Sequence, residues 1–504
     1  SANGFLTQGA DQDIADPNSY TDTITTSSKP ALQQTTLGRY VRLYIEKTNW
    51  QAPGTNINIA EFIVNGVNDL RALSEELAAR TTETVYVEGN EVVFPEASDS
   101  VEYSVYGSEL ENVITNDGTV TGQNMGSRDV TIIVRASRTG DPDDYAQKNL
   151  VVTVPDNSSS AAYASMIPSG SNEKPEVVPT IQEWAGGNGS FVFADGAQIV
   201  LNDAAGVGLS GVADNMIADV AEISGIELTS TSGASPVSGG VYIETLTDES
   251  DPYALGDEGY LLKVSEDGIQ IYANTYTGAI YGTITVEQIL WQAEDHTSVP
   301  CGLARDYPAY EVRGVKLDIA RTPYRYEQLE DYAKIMLWYK MSEYDLHIND
   351  NDNANINGAT FDTHSGFHRI ESDTFPSLAK MSGTKHAGIP QDLVNADYYN
   401  NNEDYQGSPT YTKDQWRALT ELSQSYGMNL LTEIDLPGHS LLYNKYAEEN
   451  PDNISWLEGG TMLSSSATGN SGYLELLDLT GENKDRALQF AKTLWDEYTD
   501  PENP

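Results

Sequence analysis

The sequence predicts a multidomain protein in which all-β modules precede a mixed layer and then parallel βα units. Three observations lead there. The chain has 504 residues, which at about 150 residues per domain is room for three or four. Short strand-like runs separated by Gly, Asn and Asp dominate the first third. From about residue 309, apolar strands alternate with long amphipathic stretches, the pattern of a parallel sheet with crossover helices.

Residues 1–70 are polar, with alternating runs in "GRYVRLYIEKTNW" and "NINIAEFIVNGV" that read as two strands. Residues 71–156 read as an Ig-like β domain, on short strands such as "TVYVEG", "EVVF", "VEYSVYG", "VTIIVRAS" and "NLVVTVP". Residues 157–175 are rich in Ser, Ala and Pro and read as a linker. Residues 176–308 read as an α+β layer. Its strands are expected in "FVFADGAQIVL", "GVYIETL", "GYLLKV" and "IQIYAN", and its helices in "ADNMIADVAEIS" and "TGAIYGTITVEQILWQ", the second capped by Thr277. Residues 309–504 read as β-α-β-α-β-α: strands "VRGVKLDIAR", "EYDLHIND" and "MNLLTEID", each followed by a helix. The first of these helices should bury Leu329, Tyr332, Ile335, Met336 and Tyr339.

Charge narrows the function classes. Asp and Glu number 76 against 28 Lys and Arg, a formal net charge of −48. Nucleic acid and anionic membrane surfaces are excluded as partners, because both require basic patches. Such a charge suits a secreted or cell-surface protein, or life at high salt. No apolar run reaches the roughly 20 residues of a membrane-spanning helix. The chain begins at Ser1 without Met, from which a processed or truncated start is expected. The lone Cys301 excludes an internal disulfide and reads as a small buried hydrophobe.

All three strands of the last region end in polar groups: Asp318 and Arg321 on the first, His347, Asn349 and Asp350 on the second, Glu433, Asp435 and His439 on the third. In parallel βα folds the carboxyl ends of strands carry function, and charges there need partners. They are expected to form one polar pocket. Zinc held by His347, Asp350 and His439 is the rival reading, but zinc motifs usually keep two ligands on one short element, so no metal and no cofactor is expected. "DNDNANING" imitates a calcium loop, yet position 12 counted from Asp350 is Phe361 rather than Glu.

Four separated segments, "VRGVKLDIARTPY", "YDLHINDND", "SGFHRIESDTFPSL" and "NLLTEIDLPGHS", resemble the first three barrel strands and loops of glycoside hydrolase family 20. This is the family of β-N-acetylhexosaminidases and lacto-N-biosidases. "DEGYLLKV" and "GAIYGTITVEQIL" resemble the small domain ahead of its barrel, so the likeness covers residues 176–504. The ending "RYVRLYI…NIAEFIVNG" resembles the last strands of a discoidin-like carbohydrate-binding module. The wording around His368 is similar to the bacterial lacto-N-biosidase branch.

The resemblance implies a (β/α)8 barrel, of which residues 309–504 would be the N-terminal part. It implies a bacterial glycosidase acting on glycans that end in β-linked N-acetylhexosamine or lacto-N-biose, milk and mucin oligosaccharides among them. It also implies substrate-assisted retention, in which the 2-acetamido oxygen attacks the anomeric carbon, an exception to the two-carboxylate rule. Arg321 would hold sugar hydroxyls, a task for its planar fork. Asp350 and His439 would pair in support of the catalytic Glu, and Asp318, His347, Asn349, Glu371, Glu433 and Asp435 would stand behind them. The catalytic Asp-Glu is expected after a fourth strand. Asp248-Glu249, Asp257-Glu258 and Asp496-Glu497 all lie in the wrong context for it. This chain alone is therefore expected to be inactive, and the alternative is a non-catalytic glycan-binding or adhesion protein.

Overall fold

The computed structural model describes residues 73, 77, 85–97, 100–248, 250–322, 324–351, 366–379, 410–450 and 483–499. The two strands expected within residues 1–70, and with them the discoidin-like reading, lie outside the described residues, as does the Asn/Asp-rich run beyond Asn351.

The chain divides into two compact units. In the first, β1 (Tyr86–Glu88) and β2 (Glu91–Val93) form a hairpin, and β3 (Val101–Ser108), β4 (Arg128–Arg138) and β5 (Asp141–Val154) form an antiparallel sheet. Alternation builds it. Val130, Ile132, Val134 and Ala136 are all fully buried, one residue in two along β4, as a half-buried strand requires.

In the second unit, residues 157–175 do not behave as the linker that their composition predicts. Ala161 and Tyr163 are buried with Leu255, Leu261 and Leu303, and Met166 and Ile167 pack against them. Asn172 Nδ2 donates to the carbonyls of Gly189 and Cys301, and Trp184 Nε1 donates to the carbonyl of Asn172. Glycine makes this approach possible: a Cβ on Gly186 would lie 2.1 Å from the Asn172 oxygen. Spaced apolar residues outweigh the Ser-rich composition here. Cys301 is buried, at 4% exposure.

The α+β layer is a seven-stranded sheet in the order β6 (Glu183–Val192), β12 (Ser298–Asp306), β10 (Tyr260–Ser265), β11 (Gly268–Ala273), β9 (Gly240–Thr245), β7 (Gln198–Asn202), β8 (Thr229–Ser232). Helices α1 (Ser210–Ser224) and α2 (Tyr276–Gln292) pack on each other and on the sheet. The cap of α2 is Thr275, whose side chain accepts from Gly278 N–H at 3.1 Å. Thr277 sits inside the first turn, because Thr275 is the residue with extended backbone there.

Next come β13 (Gly314–Asp318), α3 (Tyr326–Trp338), β14 (Glu343–His347), β15 (Asn349–Asn351), β16 (Gly366–His368), α4 (Lys413–Ser425), β17 (Asn429–Glu433), α5 (Leu441–Glu449) and α6 (Asn483–Thr499). Strands β13, β14 and β17 are parallel neighbours in that order. The stretch "EYDLHIND" breaks at Ile348: its second half, β15, leaves the parallel sheet and pairs antiparallel with β16. Helix α3 buries Leu329, Ala333, Met336 and Leu337, while Ile335 and Tyr339 are exposed. The inward face is thus turned from the expected one toward Ala333 and Leu337. Helix α4 has a Thr412/Gln415 capping box and ends at Gly427, in the left-handed region at φ 73°.

A buried polar seam joins the layer to the parallel strands. Lys340, just after α3, donates to Tyr260 Oη (2.8 Å), Thr285 Oγ1 (2.7 Å) and Asp306 (3.0 Å). Arg313 clamps Glu258 through two nitrogens at 3.1 and 2.6 Å. Removing one partner of a buried ion pair strands the other. Lys340→Met is accordingly expected to destabilise the chain by about 3–5 kcal/mol, read as a lowered urea midpoint; an unchanged midpoint would show that the seam holds nothing together.

Candidate active site

Strand register assembles the site. Asp318, His347 and Glu433 are Cα partners across β13, β14 and β17, so their side chains leave the sheet on one face at one level. The row below holds Lys316, Asp345 and Leu431. The opposite face carries residues such as Tyr344 and Leu346, which enter the core. Charges on one face and mostly apolar groups on the other follow from the alternation within "GVKLD" and "EYDLH"; "NLLTE" adds Glu433 to the charged face but also Leu431.

Asp350 is the centre. Its carboxylate is 1% exposed. Oδ2 meets Arg321 Nη2 at 2.5 Å and His347 Nε2 at 2.8 Å. Oδ1 accepts the Asn351 N–H at 2.6 Å and lies 2.5 Å from His439 Nδ1. That last contact is an ion-pair approach out of hydrogen-bond line. Arg321 is braced from the other side by Asp318, which accepts from its Nη1 at 2.7 Å and from its backbone N–H at 2.9 Å. One guanidinium thus bridges two carboxylates.

The turn after β17 is stapled to β15. Asn349 Nδ2 donates to the carbonyls of Asp435 (3.0 Å) and His439 (3.3 Å), and its Oδ1 accepts the Asp435 N–H at 2.7 Å. Asn351 Oδ1 accepts the Leu441 N–H at 2.9 Å. His439 adopts φ 51°, uncommon for a side chain larger than glycine, and this conformation carries its ring to Asp350. Glu433 is paired with Lys316, and its Oε2 lies 3.2 Å from His347 Nδ1.

Protonation follows from these contacts. Burial alone would push the Asp350 carboxyl up. The His347 hydrogen bond, the Asn351 N–H and the charges of His439 and Arg321 outweigh it and hold Asp350 below the usual range. For His347, burial works against the charged ring, but the bond to Asp350 and the charges of Asp318, Asp350 and Glu433 raise it above its ordinary 6.5. Glu433 is lowered: burial opposes this, and Lys316 and His347 overcome it.

The structure brings together Arg321, Asp318, His347, Asn349, Asp350, Glu433, Asp435 and His439. Glu371 stands apart. It is held through its backbone by Tyr411 and Tyr498, and no contact from its side chain to Asp350 is among the described ones. Asp318, His347 and Asp350 offer atoms within 4.8 Å of one another, as do His347, Glu433 and Asp435. Arg321 already pairs with Asp318 and Asp350, and Lys316 with Glu433, so no metal ligand is assigned. Two further participants lie within the quoted segments without having been given a role there. Lys316 sits in the row beneath, and Arg369, fully buried, donates to the Ala320 carbonyl and so props the turn that carries Arg321. A cation in an apolar strand run was the available signal for Lys316.

The Asp-Glu pairs lie elsewhere. Glu258 is clamped by Arg313. Glu497, on α6, accepts from Ser372 Oγ at 2.7 Å and from the Asp373 N–H at 2.6 Å. Asp248 is exposed and Glu249 lies outside the described residues.

Residues 174–307 match the family model described as glycosyl hydrolase family 20, domain 2, and residues 310–500 match that of the family 20 catalytic domain. The chain belongs to glycoside hydrolase family 20. It is 24% identical over 344 residues to a lacto-N-biosidase of Bifidobacterium bifidum, covering 68% of this chain and 24% of that protein. It is 26% identical over 212 residues to a beta-hexosaminidase of Akkermansia muciniphila, covering 41% and 37%. The chain thus spans between about a quarter and somewhat over a third of the length of these relatives. Among solved structures, it is similar to a Streptomyces plicatus N-acetyl-beta-hexosaminidase in complex with Thio-NAglucal, at 20% identity and TM-score 0.47, over 65% of this chain and 57% of that one.

The two shifts at the centre predict a pH window. The raised His347 contributes stability that is complete below 6.5 and is lost as pH rises through its folded value. The depressed Asp350 contributes stability that is present above 3.8 and is lost as pH falls through its folded value. Urea midpoints should therefore peak at mildly acidic pH and decline above neutrality, and His347→Gln should flatten the decline. An alkaline limb that is the same in the variant would exclude His347 as its source.

Proposed function

We propose that the protein is a glycosidase that releases terminal β-linked N-acetylhexosamine, or lacto-N-biose, from glycans, and that the Asp350 site is one wall of its sugar pocket. The observation that carries this reading is a buried, ionised carboxylate held by a guanidinium and two imidazoles at the carboxyl ends of parallel strands. Such a group needs a task, because burying charge is costly without partners.

In this reading Arg321 is one-quarter exposed and turns the exposed edge of its guanidinium to neighbouring sugar hydroxyls. Asp350 fixes that fork. His439, at 39% exposure the most open member of the pairs around Asp350, reaches toward the solvent side, where a catalytic acid would stand. The 2-acetamido oxygen of the substrate attacks the anomeric carbon to give an oxazolinium ion, while an Asp-Glu pair orients the acetamido group and protonates the leaving oxygen. Among the described residues neither Glu258 nor Glu497 is free for that role, so the acid is assigned to a part of the protein beyond these elements, and this chain by itself is inactive. A secreted or cell-surface setting suits both the substrate class and the net charge of −48. No helix of the described residues is long and apolar enough to cross a membrane.

The test offers p-nitrophenyl N-acetyl-β-glucosaminide and p-nitrophenyl β-lacto-N-bioside to this chain and to protein carrying the complete catalytic domain. The chain should release nothing from either. The complete domain should release nitrophenol from at least one, and Asp350→Asn should lower its kcat/KM by about 100-fold or more. Turnover by the chain alone would overturn the assignment of the acid. Silence from the complete domain would leave a glycan-binding protein.

A further inference from the structure

Lys316 lies one row below Asp318, His347 and Glu433, on the same face of the parallel strands. Its Nζ is paired with Glu433 Oε2 and lies 3.7 Å from Asp345. The same Oε2 is 3.2 Å from Nδ1 of His347. One carboxylate oxygen therefore has two claimants, and the ammonium is the nearer. The His347 ring is buried, at 7% exposure, and its Nδ1 makes no hydrogen bond. Its other nitrogen, Nε2, is bonded to Asp350. A histidine with both nitrogens donating to carboxylates is locked as the cation. Here one of those two bonds is withheld.

We propose that Lys316 is a positioning residue that, by pairing with the Glu433 carboxylate, keeps it from holding His347 Nδ1 as a committed donor, so that His347 can gain or lose a proton at Nδ1 while Nε2 stays bonded to Asp350. The charged groups around the ring define the balance. Asp318 and Lys316 face it from β13, and Arg321 from the turn beyond. Asp345 lies on its own strand, and Asp350 on β15. Glu433 approaches from β17, and Asp435 and His439 from the turn that follows. The carboxylates favour the imidazolium, while Lys316 and Arg321 oppose it. Lys316 acts twice, by its own charge and by neutralising Glu433, whose Oε2 it meets as an ion pair rather than through an in-line hydrogen bond. A switchable His347 changes the net charge at Asp350 by one, and with it how firmly Arg321 is held.

The consequence for sugar binding rests on the function proposed above, but the titration does not, so the two can fail separately. The experiment follows the histidine ring signals of the whole chain by NMR across pH, assigning His347 among the six histidines with His347→Gln. His368, buried between Tyr443 and Tyr498 and held neutral, with its pKa pushed down to about 3 by burial and by the Arg369 charge, serves as the control for intact folding. Lys316→Met should move the His347 midpoint to higher pH, and Lys316→Arg should leave it near the wild-type value. In a Glu433→Gln background, Lys316→Met should move it much less. No shift, a downward shift, or an equal shift in both backgrounds would overturn the proposal.

Discussion

A single buried carboxylate organises the mouth of the parallel strands. An ionised group such as Asp350 is costly to remove from water, and partial compensation leaves most of that cost standing. Its partners arrive from beyond β13, from β14, from β15 and from beyond β17. The charge therefore constrains two strands and two turns together. A one-residue slip in β14 would send His347 to the apolar face, and rotating the turn after β17 would withdraw His439. Asn349 and Asn351 exist in this arrangement to prevent the second, since each spends its side chain on the backbone of that turn.

Beneath this centre, the rows of charge on the polar face of the strands form a graded set. Lys316 and Arg321 each serve two carboxylates. Each acid is in turn biased by how much cation it receives and how deeply it lies. Asp345 illustrates the opposite outcome to Asp350. Burial, with Glu433 nearby, raises it in spite of Lys316. Neighbouring carboxylates on one face are thus held at different protonation tendencies by position alone. The seam of Lys340, Asp306 and Tyr260 plays the matching role on the far side, tying the seven-stranded layer to the loop that follows α3.

Much of this was legible from residues alone. The strand ends "KLD", "LHIND" and "TEID" put charge where a buried sheet should have none, and that contradiction located the site. The period of the helices and the stop at Gly427 were likewise local signals. What misled was composition. Ser and Ala in residues 157–175 concealed Ala161, Tyr163, Met166 and Ile167, which pack only because a sheet surface elsewhere in the chain receives them. On α3, the choice between Tyr339 and Ala333 for the buried face depended on what the helix met rather than on its own period. Glu371 stood beside motif residues in sequence, yet its contacts are those of its backbone, to Tyr411 and Tyr498.

The sequence by itself determined the order of elements, which face of each strand is polar, and the set of titratable groups at the strand ends, because periodicity and residue type are local properties. Only the tertiary structure decided who pairs with whom. That Asp350 rather than Asp435 is the buried acceptor, that Lys316 takes the oxygen His347 also approaches, and that Glu258 and Glu497 are spent on Arg313 and on the Ser372 turn are outcomes of register and burial. Those depend on distances between residues far apart in the chain, which no single stretch contains.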